Sequence, residues 1–286
     1  LPHAYLLGGL WAVLLRIPVR IMSRRSLNHY QQQHPLLRHL EYWLHGQTHL
    51  LLGNSDAIVR QLKIEARKNA DRVQIIRNGI DTKSFFPTKS LVQVRTELAI
   101  PDDALIITKI ANYIPYKGHS DLLEALHLIV NKLPKGWRLI CAGRDDGPLE
   151  ILQTKAQCLG LMNHILWLDA RNDIPDLLCA SDIGVLASHE EGSSNAILEC
   201  MAASLPLVAT NVGGNPEIVE HGVTGLIVPP KAPGLLGEAL VQLADDAQLR
   251  QSMGISGRNR IEEKFSIEHC VKNYQHRYDQ LIKHKT

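Results

Sequence analysis

From about residue 105 onward, short β-branched apolar runs alternate with amphipathic stretches, a rhythm that restricts the chain to few folds. The segments LIITKIA (105–111), RLICAG (138–143), ILWLD (165–169), IGVLAS (183–188), PLVAT (206–210) and GLIVP (225–229) read as strands. Between them, HSDLLEALHLIVNKL (119–133) and PLEILQTKAQCLG (148–160) have helical spacing. The strands are continuously apolar, which requires helices on both faces of a parallel sheet. Six strands in this rhythm predict one Rossmann-like α/β domain.

Upstream the rhythm recurs in shorter form. A helix (4–15), a strand PVRIMS (18–23), a helix around 36–47, a strand HLLLGNS (49–55), a helix (56–69) and a strand VQIIRNG (73–79) follow one another. This reads as the back half of a second α/β domain whose first strands are absent. NGIDTKSFFP (78–87), with its turn residues and proline, is the expected hinge. The boundaries are therefore 1–82 for the first domain, 83–264 for the second, and 265–286 for a terminal helix packing back toward the first. That helix carries Tyr274, Tyr278 and Leu281 on one stripe. Two such domains form a cleft at the carboxyl ends of their strands, where open α/β sheets bind ligands.

Composition adds three constraints. An apolar fraction of 45% and a charged fraction of 21% are ordinary for a globular protein. The net charge of +2 hides an asymmetry, because residues 1–90 hold 13 Lys/Arg against 5 Asp/Glu. A basic first segment suits phosphates or a lipid headgroup surface, and equally a solvated basic face. The five cysteines are scattered, without a CxxC pair, which argues against a disulfide framework or zinc site. The apolar run AYLLGGLWAVLL (4–15) is 12 residues long, short of the roughly 20 that a spanning helix needs.

The stretch richest in chemistry is ASHEEGSSNAILECMA (187–202). A strand ends, a polar loop follows, and a helix begins near Ser194, with Ser193 or Ser194 as its cap. Backbone N–H groups of Gly192, Ser193 and Ser194 then point out of a helix N-terminus, where the macrodipole favours an anion. Gly192 permits close approach of that anion. A carboxylate touching the same anion would be repelled, so Glu191 and Glu199 must face hydroxyls on either side. One carboxylate accepts two hydrogen bonds from a vicinal diol such as a ribose. The Glu-x7-Glu spacing thus suits a nucleotide-sugar. Two glutamates alone would equally be surface carboxylates at a helix start, and Glu190 reads as an ordinary exposed charge.

The longer segment EGSSNAILECMAASLPLVATNVGGNPEIVEHGVTGLIVPP (191–230) resembles the donor-site signature of family 4 glycosyltransferases (glycosyl transferases group 1). These are retaining enzymes of GT-B fold, with two Rossmann-like domains facing a cleft. The resemblance extends more weakly from PVRIMSRR through NGID to the terminal helix. It implies an incomplete acceptor-side domain followed by a nucleotide-sugar donor domain. Carried onto matching residues, it implies that Glu199 binds the nucleotide ribose and Glu191 the donor sugar. The backbone around Gly192, Ser193 and Ser194 would hold the diphosphate, and Lys117 in YIPYKGHS would neutralise it.

The chain departs from the family pattern in two places. Asn112 stands where relatives carry an arginine that reaches the phosphate. Arg144, after CAG, and Arg171, after WLDA, are the candidates to replace it, though each also reads as an exposed loop arginine. Relatives often place a histidine at the end of the strand matching PVRIMS, and here Arg24 lies nearest. Arginine cannot act as a base at neutral pH, but it can clamp an acidic acceptor or a phosphate. His3 and His29 remain histidine candidates on the acceptor side.

The resemblance implies a retaining hexosyltransferase that uses a UDP- or GDP-linked sugar and a cell-surface polysaccharide or lipid-linked acceptor. In front-face attack the departing phosphate oxygen takes the acceptor proton, so the protein's work is positioning and charge stabilisation. Nothing in the chain resembles an Asp-x-Asp metal site, and neither metal nor cofactor is expected. The expected location is cytoplasmic, with peripheral contact at the inner face of the membrane through the basic first segment and no nucleic-acid partner. Two other readings stand beside this one: a donor-binding fragment without transfer activity because its first strands are missing, and a GT-B nucleotide-sugar epimerase.

Overall fold

The computed structural model describes residues 2–27, 34–83 and 85–283, without the side chains of Pro2, His3 and Leu36. In chain order the elements are α1 (Pro2–Leu14), β1 (Ile21–Arg24), α2 (Pro35–Gln47), β2 (Leu50–Gly53), α3 (Asp56–Ala66), β3 (Val73–Ile75), α4 (Leu91–Glu97) and β4 (Ile106–Ile110). They continue with α5 (His119–Ile129), β5 (Arg138–Ala142), α6 (Leu149–Cys158), β6 (Ile165–Leu168), α7 (Ile174–Cys179), β7 (Ile183–Leu186), α8 (Asn195–Ala202) and β8 (Leu207–Thr210). The last are α9 (Asn215–Ile218), β9 (Leu226–Val228), α10 (Pro233–Asp245), α11 (Ala247–Lys264) and α12 (Ile267–Lys283). The chain divides into two compact units. One comprises Leu1–Gly79, Glu191–Ser193 and Ile267–Thr286, and the other comprises Ile80–Glu190 and Ser194–Ser266.

The first unit is built on a parallel sheet in the order β1-β2-β3. Leu50, Leu51 and Leu52 of β2 are all buried, because successive side chains point to opposite faces and both faces are covered. Leu51 packs with Ile58, Val59 and Leu62 of α3, while Leu50 and Leu52 meet Cys270, Tyr274 and Leu281 of α12. Tyr278, on the same stripe, is instead exposed, with its ring against that of Tyr274. Ser55 starts α3 as its N-cap, accepting from the Ile58 N–H at 3.3 Å.

The second unit holds a six-stranded parallel sheet in the order β6-β5-β4-β7-β8-β9. Ile107, Leu139 and Val208 enter one core with α5 and α10, whereas Ile106 and Ile140 enter the opposite face. The linker into this unit is held by Asp176 of α7, whose buried carboxylate accepts from the N–H groups of Thr88 and Lys89 and from the Thr88 hydroxyl. Among the described residues, no helix is long and apolar enough to cross a membrane.

Candidate functional site

Strand order in the second unit reverses between β4 and β7. Loops leaving neighbouring strands at such a switch point diverge and open a crevice at the carboxyl edge. Here the two loops are 111–118 after β4 and 187–194 after β7.

The first loop carries Asn112 and Lys117 and ends in one 3-10 turn, Pro115–Lys117. Gly118 follows with φ 68°, in the left-handed region, and a Cβ there would lie 1.8 Å from the Ala187 carbonyl oxygen. Glycine is therefore required on two counts, and the loop lies flat on the end of β7. The His189 N–H donates to the Tyr116 carbonyl at 2.7 Å, and His189 Nε2 meets Asp121 Oδ2 at 2.8 Å. His189 thus ties the second loop both to the first loop and to the start of α5.

Beneath them, Lys109 of β4 is only 1% exposed and donates from Nζ to the Lys117 carbonyl at 2.8 Å. His119, one residue past Gly118, is also buried. Burial first, then the charges of Lys109 and Lys117, push its pKa down to about 2, against a smaller pull from the Ala111 backbone. The ring is therefore neutral, chiefly because it is buried, with the two lysine charges adding to the effect.

Helix α8 begins after Ser194, which is buried, extended in backbone and makes no side-chain cap hydrogen bond. Glu199 lies in the second turn of α8, half-buried, and burial raises its carboxyl pKa. Among the described residues no hydrogen bond or ion pair engages that carboxylate. Glu191, Gly192 and Ser193 group by their contacts with the first unit. A Cβ on Gly192 would lie 2.2 Å from the Arg25 carbonyl oxygen, so this glycine serves contact between two backbones. That is a different reason from the close anion approach expected for it.

Three expected donor-site groups are already engaged. Arg144 forks onto Asp146 with bonds of 2.7 and 3.1 Å, and Arg171 forks onto Asp173 at 2.7 and 2.5 Å. Asn112 accepts from the Arg144 N–H at 3.2 Å and reaches Asp146 at 3.4 Å. Arg144 and Arg171, the candidates to replace the family arginine, are thus each paired with an aspartate two residues on.

Arg24 is paired as well. It is 8% exposed, donates to Glu41 at 2.5 Å and pairs with Glu65 at 2.8 Å within the first unit. Its guanidinium compensates two buried carboxylates and is not presented to an acceptor. Ligand atoms of Glu41, His45 and Glu65 lie within 4.8 Å of one another, a set able to hold a metal. The Arg24 guanidinium already supplies positive charge to both of those carboxylates. Burial, and then Arg24, hold the His45 pKa below its ordinary value against the opposing pull of Glu41. The His3 side chain and the whole of His29 lie outside the described residues.

Lys109, His189 and Asp121 are not among the residues the sequence nominates. A lysine within the otherwise apolar run LIITKIA is the signal that could have found the first. Asp121 and His189 are 68 residues apart, beyond any spacing rule.

The sequence pattern described as glycosyl transferases group 1 matches residues 104–246. The N-acetyl-alpha-D-glucosaminyl L-malate synthase of Bacillus anthracis is 28% identical over 239 residues, 83% of this chain and 61% of that protein. The UDP-Gal:alpha-D-GlcNAc-diphosphoundecaprenol alpha-1,3-galactosyltransferase of Escherichia coli is 26% identical over 234 residues, 81% of this chain and 59% of that protein. The chain therefore spans about three fifths of the length of these relatives. Among solved structures, Anabaena HepE in complex with UDP-glucose matches with a TM-score of 0.89 at 22% identity, covering 98% of this chain and 77% of that one. At that identity the likeness establishes the fold.

Proposed function

The chain belongs to the glycosyl transferases group 1 family and has its GT-B fold, and from that premise we propose that it is a retaining hexosyltransferase. The donor is a UDP- or GDP-linked sugar, and the acceptor is a lipid-linked or cell-surface glycan. The observation that carries this reading is Glu199. A half-buried carboxylate with no protein partner is unfavourable by itself, and a ribose diol supplies the two donors it lacks. Ser194 and the first N–H groups of α8 receive the diphosphate, and Lys117 neutralises the charge that develops as it departs. Glu191 contacts the donor sugar. The leaving phosphate oxygen takes the acceptor proton, so neither metal nor cofactor takes part.

Two comparisons support the donor class: HepE was crystallised with UDP-glucose, and the E. coli relative is named for a UDP-galactose donor and a diphosphoundecaprenol acceptor. The excess of Lys/Arg within residues 1–90 supports a peripheral contact with an anionic membrane surface on the cytoplasmic side.

A thermal-shift panel of UDP, GDP, ADP and their common sugars, followed by NMR of the transfer product, tests this reading. One nucleotide should raise the melting temperature, and the product should keep the donor's anomeric configuration in the presence of EDTA. An inverted product, or turnover abolished by EDTA, refutes the corresponding part. Nucleotide binding without transfer would favour the donor-binding reading, and no nucleotide binding at all would sink both.

A further inference from the structure

We propose that Lys109 is a positioning residue of the donor site, which fixes the carbonyl of Lys117 and adds a second positive charge beneath the diphosphate. This inference rests on the reading of the Lys117 loop as a diphosphate seat.

A central strand of a parallel sheet gains nothing from an ammonium group, because desolvating the charge is costly and an apolar residue would pack as well. Strand alternation places Lys109 on the same face as Ile107, in register with Cys141 of β5. That face belongs to the core formed with Leu122 and Leu126 of α5. The lysine stem therefore rises through apolar core toward the first turn of α5 and ends on the carbonyl of Lys117, 2.8 Å away. The ammonium thus bonds the backbone of the residue that also carries the loop cation.

The electrostatic argument is separate. Asn112 brings no charge, and Arg144 and Arg171 each face their own aspartate. Positive charge at the switch point is thus supplied from within the fold. Lys109 and Lys117 both act on His119, and Lys109 also acts on Cys141, opposing the rise that burial imposes on that thiol. A charge held under the loop is screened less than one in solvent and leaves the loop surface open to the donor. It also needs no reorganisation as negative charge builds on the leaving diphosphate.

The test is a double-mutant cycle on the full chain, with Lys109→Met, Lys117→Met and the pair. The probes are UDP, GDP and ADP, each compared with its nucleoside. In the otherwise wild-type background, Lys109→Met should weaken binding of the diphosphate about tenfold, the size of one partly screened charge, and leave the nucleoside unaffected. In the Lys117→Met background the same change should still cost a few-fold, because the Lys109 charge remains beneath the diphosphate, but less than about tenfold, because its positioning of the Lys117 side chain no longer counts. Equal losses for diphosphate and nucleoside, losses that multiply in the pair, or no loss would each overturn the proposal. If Lys109→Met does not fold, Lys109→Gln keeps an amide donor to the carbonyl without the charge and serves the same comparison. A wild-type chain that binds none of the three diphosphates removes the donor-site reading itself. A wild-type chain that binds, with an indifferent lysine variant, removes only this inference.

Discussion

At the scale of single residues, what the sequence discloses depends on whether a residue's partners are close in sequence. The placement of Glu199 is legible because it follows from its own helix, one turn beyond a cap and a glycine. The burial of Arg24, at the end of β1, is not, since it depends on Glu41 and Glu65 arriving from two helices. His189 stands in the stretch that best identifies the site, yet its partner Asp121 comes from α5. Glu199 also gives a prediction with a defined sign. Burial raises its pKa in the free protein, whereas hydroxyl donors from a bound ribose favour the charged form and lower it. Nucleotide binding should therefore release protons, and affinity should fall as pH drops through the raised pKa. Glu199→Gln should weaken nucleotide binding by about 1–3 kcal/mol and flatten that pH dependence. Calorimetric titration of both proteins at several pH values checks it, and equal affinities would refute the ribose assignment.

At the scale of elements, strands were the easier part to read. PLVAT became Leu207–Thr210, and GLIVP became Leu226–Val228, because a strand buried on both faces is a short apolar run with sharp ends. PVRIMS enters the ladder at Ile21, and one residue earlier the Arg20 N–H goes instead to His49 Nδ1 at 3.1 Å. Helix α11 escapes a hydropathy reading altogether. Its buried face is Met253, Gly254, Gly257 and Ile261, and a Cβ on Gly254 would lie 2.1 Å from the Ser204 carbonyl oxygen. Half of that face is backbone, which no apolar periodicity can reveal. Close backbone contact also underlies the prediction for the loop after β4. Gly118→Ala places a Cβ in a left-handed conformation, costing about 1–2 kcal/mol, and also forces the Lys117 turn off the end of β7. The variant should melt lower and bind nucleoside diphosphate more weakly than wild type in the same assay. Full retention of diphosphate affinity would show that the flat seating of this turn does not set the position of Lys117.

At the scale of the whole molecule, each unit contains a buried histidine held neutral by its surroundings. In the first unit it is His45, enclosed with Arg24, Glu41 and Glu65, and in the second it is His119, below the Lys117 loop. Neither position was legible as special among 14 histidines, because the character of each comes from the core built around it. Their consequence for stability has one sign. Both folded-state pKa values lie below the ordinary value near 6.5. As pH falls below that value, the unfolded chain takes up protons that the folded chain does not. Stability is therefore present in full above about pH 6.5 and is lost on acidification, at up to about 1.4 kcal/mol per pH unit for each histidine. The loss in the second unit continues further into acid, since the His119 pKa lies near 2. His119→Leu should remove that slope from the second unit and leave the first unchanged. Methyl NMR melts between pH 7.5 and 5, following Leu51 of β2 and Ile107 of β4, report the two cores separately. Wild type should show both signals melting lower as pH falls, whereas in the variant the Ile107 signal should lose about one proton's worth of that dependence. An Ile107 melt with the same pH slope in both proteins would mean that His119 is not the group whose protonation opposes folding of the second unit.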